Sequence, residues 1–216
     1  MAAFAQAQFL TSVAELEQLP PAGPPEVAFA GRSNVGKSSA INALTRRKRL
    51  AFFSRTPGRT QMLNFFDLGG RAHLVDLPGY GYARVPRPLQ AQWDRLIGGY
   101  LSERPSLVAV VVIMDARRPF MPNDSRVMEW LRPLGRKVLV LLSKSDKISR
   151  SERATALAKA RRSLFDLAVP GEVRLFSSLN GEGVDEVRAL LESWLAAADA
   201  NKKPPVRGSK PGAKTP

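Results

Sequence analysis

Gly31-Arg32-Ser33-Asn34-Val35-Gly36-Lys37-Ser38 is the stretch from which the fold is read: two glycines bracket four residues, and Lys-Ser follows. The apolar run before it, Val27 to Ala30, has the character of a buried strand, and Ser39 to Arg46 has that of a helix. A strand, a glycine-bracketed loop and a helix start form a phosphate cradle. Glycine permits backbone conformations closed to other residues, so successive N–H groups can turn toward one anion. The helix N-terminus adds the positive end of its dipole. In such a loop Lys37 reaches the β- and γ-phosphates, and the Ser38 hydroxyl is placed for a magnesium ion.

Outward from the loop, strand and helix signals alternate. Leu63 to Leu68 and Ala72 to Asp76 flank Gly69-Gly70, which predicts a hairpin and hence one antiparallel edge strand. Helical periodicity covers 88–103, with Leu89, Trp93, Leu96, Ile97 and Tyr100 along one side. Leu107 to Met114 and Lys137 to Leu142 are continuous apolar runs of the kind buried on both faces of a parallel sheet. Helices are predicted over 123–134, with Asn123 or Asp124 as cap, over 151–167 and over 184–198. A last strand falls at 172–176. The pattern predicts a three-layer α/β domain: a mostly parallel six-stranded sheet with helices on both faces. Residues 1–24, with a short amphipathic piece at 11–19, are expected to pack or fray outside the core. The domain proper is expected over 25–200. Residues 201–216, rich in Lys, Pro and Gly without an acidic residue, form an expected disordered basic tail.

In sheets of this kind, ligands gather beyond the carboxyl ends of the strands, and the remaining motifs stand there. Asp76-Leu77-Pro78-Gly79 follows one strand. The aspartate can hold magnesium through water, and the Gly79 N–H can meet a γ-phosphate. Ser143-Lys144-Ser145-Asp146 follows another strand. A carboxylate at Asp146 accepts two hydrogen bonds from the N1–H and 2-amino group of guanine, whereas adenine has neither donor there, so this residue selects GTP over ATP. Lys144 lies across the base plane. Phe176-Ser177-Ser178 ends the last strand and offers a backbone N–H to guanine O6. The loop Phe52 to Met62 holds Thr56-Pro57-Gly58-Arg59-Thr60-Gln61. A threonine hydroxyl in it could close the magnesium shell only when the γ-phosphate is present, and Thr56 and Thr60 both qualify by chemistry.

Composition sets bounds. The 216 residues suffice for one well-cored domain with tails, and 44% are hydrophobic. No run has the ~18 apolar residues of a membrane span, and the N-terminus carries no secretory pattern, so a cytoplasmic location is expected; a monomer is a separate expectation. The absence of cysteine excludes disulfides and thiolate metal sites. The single histidine, His73, reads as an alternating strand position. The formal charge of +14 favours polyanions, nucleic acid above all, although solubility alone is a plainer reading.

The ordered motifs resemble a Ras-like GTPase of the translation-factor class. Gly31 to Ser39, Pro57-Gly58-Arg59-Thr60-Gln61 and Asp76-Leu77-Pro78-Gly79-Tyr80-Gly81 are most similar to the EngB (YihA/YsxC) family of bacterial ribosome-assembly GTPases, over about residues 8 to 198. The resemblance implies that Thr60 is the switch-loop magnesium ligand. It implies that the nucleotide touches residues from Gly31 to Ser38, Gly58 to Met62, Asp76 to Gly79, Ser143 to Asp146 and Phe176 to Ser178. It implies work on the large ribosomal subunit and its RNA, with a link to cell division and septum formation. Lys37, Thr60, Gly79 and Asn34 are the residues it assigns to hydrolysis. Two positions depart from the family pattern: Ser143 where Asn or Thr is common, and Ser178 where Ala is common. The first keeps a hydroxyl and the second keeps the N–H. Tyr80 stands where many GTPases carry the glutamine that orients water, so slow intrinsic hydrolysis is expected. Asn34 resembles an asparagine that helps hold potassium in related GTPases; turn geometry explains an asparagine there equally well. Gln61 is a candidate for positioning water. The cations Arg46, Arg47, Lys48, Arg49, Arg84, Arg87, Arg117, Arg118, Arg161 and Arg162 are candidate RNA contacts.

Overall fold

A computed structural model describes residues 3–51, 62–80 and 87–202. Seven strands form one sheet: β1 (Gln8–Val13), β2 (Glu26–Gly31), β3 (Leu63–Asp67), β4 (His73–Asp76), β5 (Leu107–Asp115), β6 (Lys137–Ser143) and β7 (Gly171–Leu175). Their order is β1-β3-β4-β2-β5-β6-β7. The helices are α1 (Lys37–Thr45), α2 (Arg87–Glu103), α3 (Pro122–Leu131), α4 (Arg150–Asp166) and α5 (Val184–Lys202).

The apolar runs became strands because both their faces are covered. Val110, Val112, Val140 and Leu142 join one core with α2, α3 and α4. Val111, Ile113, Leu139 and Leu141 join a second core with α1 and α5. A continuous Val/Leu run therefore finds apolar partners in either direction. Leu96, Ile97 and Tyr100 of α2 are buried as its periodicity predicts. The side chains of Leu89 and Trp93 lie outside the described residues.

The six-strand expectation becomes seven, and the segment expected outside the core supplies the extra strand. β3 pairs antiparallel with β4 across Gly69 (φ 67°) and Gly70 (φ 72°), as the Gly-Gly signal predicts. That pairing leaves the far side of β3 as a row of unpaired backbone groups. β1 covers it antiparallel, Gln8 opposite Asp67 and Val13 opposite Leu63, with a register shift between Phe9 and Thr11. β3 is thus the one strand running against the others, but β1 forms the edge. The amphipathic piece at 11–19 is divided between the end of β1 and the turn that follows. Val13 faces the core, a single turn spans Leu16–Gln18, and Leu16 packs tightly over Gly99.

Helix ends show a second correction. The cap of α3 is Met121, and Asp124 sits three residues in, its carboxylate accepting the Met121 N–H at 3.0 Å. α4 starts at Ser149, whose side chain and that of Glu152 bond reciprocally to each other's backbone N–H.

At the end of the sheet remote from the motifs, Glu26 is fully buried. Tyr100 Oη donates to it at 2.9 Å, Ser106 Oγ at 2.8 Å, and Arg104 through Nε and Nη2. Burial alone would raise its pKa. His73, 3.8 Å away, with Arg104 and Ser106 outweighs burial and holds the carboxyl at about 2. His73 is therefore buried beside a carboxylate rather than a mere alternating position.

Candidate functional site

The loop after β2 is shaped by two positive-φ residues and two close approaches. Asn34 (φ 60°) and Gly36 (φ 103°) turn the chain through the left-handed region, the alternation that makes an anion-binding concavity. Asparagine tolerates that conformation, so turn geometry accounts for Asn34. Gly31 is needed for another reason than expected. Its φ is ordinary, but a Cβ there would lie 2.8 Å from Val35 Cγ1 and 3.0 Å from the Ile113 carbonyl. At Gly79 a Cβ would lie 3.3 Å from the Ser33 backbone, so the arm after β4 is packed on the phosphate loop.

A cavity of about 680 Å³ opens at the carboxyl end of the sheet, lined among others by Ser33, Asn34, Lys37, Ser38, Asp76 and Gly79. Lys37 Nζ donates to the Asp76 carboxylate, so the phosphate-loop cation and the β4-end anion stand face to face. Ser38, in the first turn of α1, is buried beside them. Among the described residues there is no cluster of three or more His, Cys, Asp or Glu that could cage a metal. The donor set nevertheless fits magnesium, which keeps several waters and takes one or two protein oxygens beside substrate phosphates. Ser38 would supply a hydroxyl and Asp76 a carboxylate. The ion would supply positive charge at the β- and γ-phosphate oxygens. Gly58, Arg59, Thr60 and Gln61, together with Thr56, lie outside the described residues. Met62, just after them, is exposed beside the cavity.

The segments expected to read the base meet at the ends of β6 and β7. Ser143 Oγ donates to the Val35 carbonyl at 2.6 Å, with the Met114 carbonyl at 3.1 Å. The Ser143 hydroxyl thus ties the end of β6 to the phosphate loop. Lys144 (φ 58°) donates through Nζ to the Asn34 carbonyl at 2.9 Å and to Asp115 at 3.1 Å, laying its stem along the loop. Asp146 lies beyond Lys144 with its carboxylate held from behind: Ser177 Oγ donates to Oδ1 at 2.7 Å, and Lys147 is 3.5 Å from Oδ2. The Ser177 hydroxyl, then Lys147, holds the Asp146 carboxyl below the usual range, keeping it an acceptor. Ser145 N donates to the Phe176 carbonyl, Phe176 N to the Leu142 carbonyl, and Ser178 is exposed at the head of the following turn.

Sequence reasoning missed three side chains. Asp115 ends β5 and pairs with both Lys144 and Arg117; burial raises its pKa, but those two partners pull it well below the usual carboxylate range. Its place after an apolar strand was the available signal. Glu182 accepts from Ser145 Oγ at 2.6 Å and from Arg153 at 3.1 Å, bracing the base-recognition turn. The glycine pair 181 and 183, both at positive φ, marked that turn. Asp124, read as a helix cap, reaches Tyr80 and Arg32. Nothing local in the sequence signals that contact. Arg117 is committed to Asp115, Arg46 lies 3.5 Å from Asp185, and Arg47 donates to the Ala5 carbonyl. Arg84 and the side chain of Arg87 lie outside the described residues.

Comparison with known proteins agrees with this geometry. The family described as "50S ribosome-binding GTPase" matches residues 26–144. The "Probable GTP-binding protein EngB" of Dechloromonas aromatica is 53% identical over 221 residues, covering all of both chains. Its counterpart in Thiobacillus denitrificans is 53% identical over 92% of this chain and 96% of its own. Among solved structures, a probable GTP-binding protein engB superposes with a TM-score of 0.65 at 22% identity, over 80% of this chain and 99% of that one. Era in complex with MgGDPNP and nucleotides 1506–1542 of 16S ribosomal RNA gives 0.61 at 24% identity, over 79% of this chain and 56% of that one.

Proposed function

Because the chain belongs to the EngB family of GTP-binding proteins and is a GTP hydrolase, we propose that it works in the cytoplasm as a GTP-dependent switch in assembly of the large ribosomal subunit. In this reading it touches ribosomal RNA and has a link to cell division and septation. The observation that carries the reading is cationic charge on helix faces that no core needs. α3, the turn after it and α4 present Arg126, Arg132, Lys159, Arg161 and Arg162 to solvent. Two guanidinium–aromatic stacks stand among them, Arg126 over Trp130 at 5.1 Å and Arg162 over Phe165 at 5.5 Å; Phe165 is 76% exposed. Such surfaces suit RNA, where phosphates take exposed cations and unstacked bases take aromatic and guanidinium planes; Arg162 also pairs with Asp166 at 2.9 Å, a contact that a phosphate would have to share. The basic residues of 201–216 extend the same charge along the chain.

The nucleotide would be read by Lys37, Ser38, Thr60 and Gly79 at the triphosphate and magnesium, and by Asp146 at the base. Loss of the γ-phosphate would release the Thr60 loop. Sedimentation with large ribosomal subunits under GTP, GDP and no nucleotide tests the proposal. GTP-selective co-sedimentation that weakens steeply with salt is expected. Equal recovery in all three states, or none, refutes it.

A second reading has its own observation. Tyr80, in the place of the usual water-orienting glutamine, turns its hydroxyl into the core toward Asp124. A nucleotide-gated ribosome-binding module, for which hydrolysis is incidental, follows if nothing else orients the water. Ribosome maturation by a hydrolysis-deficient variant would favour it. The Asn34 assignment supports potassium as a substitute for the absent group; faster hydrolysis in potassium than in sodium is expected, and equal rates would leave Asn34 only its turn role.

A further inference from the structure

Asp124 is fully buried, and three chain segments meet on its carboxylate. Oδ2 accepts the N–H of Met121, the cap of α3, at 3.0 Å. Oδ1 accepts the Tyr80 hydroxyl at 2.9 Å and lies 3.3 Å from Arg32 Nε. Arg32 is the second residue of the phosphate loop, and its Nη2 also donates to the Arg118 carbonyl at 3.3 Å. Tyr80 is the residue directly after Gly79, and its main chain is held as firmly as its side chain. Tyr80 N donates to the Gly31 carbonyl at 3.3 Å, and Ser33 N donates to the Tyr80 carbonyl at 3.1 Å. Burial, and then the charge of Asp124, pushes the Tyr80 phenol far above its ordinary range, so it stays a neutral donor.

We propose that Tyr80 and Asp124 are positioning residues for γ-phosphate recognition: their hydrogen bond fixes the Gly79–Tyr80 peptide against the phosphate loop and couples it to the first turn of α3. This inference rests on the GTP-hydrolysing reading of the site and adds to it a side-chain route from the nucleotide to α3.

The physical reason is the tolerance of such contacts. A backbone N–H discriminates triphosphate from diphosphate only if it is held within about half an ångström of its place. Gly79 has no side chain with which to hold itself, and a Cβ there would press on the Ser33 backbone at 3.3 Å. Its position is therefore set by its neighbours, and Tyr80 is fastened at two main-chain points and one side-chain point. Swinging Tyr80 away would break these bonds and would leave the buried carboxylate short of a donor, which is costly. The link is reciprocal: whatever moves the first turn of α3 changes the preference for GTP, and GTP biases that turn equally.

Tyr80→Phe in the full chain is the test, because it removes one hydroxyl and keeps the buried ring. Affinities for GDP and for a non-hydrolysable GTP analogue, together with kcat and KM for GTP, are measured beside a thermal unfolding curve. The expected result is a GDP affinity within about twofold of wild type. The analogue affinity and kcat should fall by roughly three- to tenfold, the loss of one hydrogen bond. An unchanged ratio of analogue to GDP affinity, or an equal loss of both, overturns the proposal. If Tyr80→Phe does not fold, Asp124→Asn is judged by the same ratio and the same outcomes. Wild-type protein that binds neither nucleotide would instead sink the underlying site reading.

Discussion

Replacing Asp146 by Asn probes the choice of base with almost no change of shape. The amide carbonyl can still accept from Ser177 Oγ, which now stands 2.7 Å from Oδ1, so the turn that carries residue 146 should persist. What changes is the second oxygen, which becomes an NH₂ group, and the charge. Two charge-assisted hydrogen bonds to guanine N1–H and its 2-amino group are worth about 1.5–3 kcal/mol each. Their combined loss is about 3–6 kcal/mol, a weakening of GTP by roughly 150- to 20,000-fold. The lower half of that range is expected, because the carboxylate retains 13% exposure and water can reach it. The new NH₂ group can donate to a 2-oxo base, so xanthosine triphosphate should gain what GTP loses. Competition of GTP, XTP and ATP against a fluorescent nucleotide, in wild type and variant, reads all three affinities. GTP binding that survives the substitution unchanged would refute the assignment of Asp146 and with it the structural account of guanine selection.

Other perturbations give equally direct readouts. Glu26, with a folded pKa of about 2 against an ordinary 4.5, stabilises the fold fully above about pH 4.5, and this contribution is lost as pH falls toward 2. The shift corresponds to about 3 kcal/mol; Glu26→Gln should cost about that at pH 7 and much less at pH 3, as measured by urea unfolding at both values. Ser143→Ala removes the 2.6 Å tether to Val35 and should weaken GTP and GDP alike, by up to about tenfold; isothermal titration with both nucleotides would expose any selective effect as a contradiction. Gly31→Ala forces a Cβ to within 2.8 Å of Val35 and 3.0 Å of the Ile113 carbonyl, so it should cost about 1–3 kcal/mol and lower nucleotide affinity. A thermal midpoint and affinity equal to wild type would show that the loop adjusts freely.

Much of the architecture was legible because local signals and tertiary environment agree. Runs such as Leu107 to Met114 are apolar on every residue, and only a strand covered on both faces satisfies them. The phosphate loop was legible because Gly36 and Asn34 are residue types that accept positive φ. β1 has no local signal, because Gln8 to Val13 carries neither clean alternation nor an apolar run; it is a strand only because β3 offers it an unpaired edge. The distant contacts of Asp124 have no local signal, because its role near a helix start already accounts for an aspartate there.

The amino-acid sequence by itself determined the order of strands and helices from β2 onward, the phosphate cradle and the position of the motifs expected to read the base. These depend on residue types at short spacing, where propensity, turn chemistry and periodicity act within a few residues. Only the tertiary structure decided which side chains complete the site. Ser143 bonds Val35 across 108 positions, Tyr80 bonds Asp124 across 44, and Asp115 bonds Lys144 across 29. Such pairings are set by where strand ends emerge after the sheet has closed, and a buried polar atom takes whatever partner that closure brings within reach.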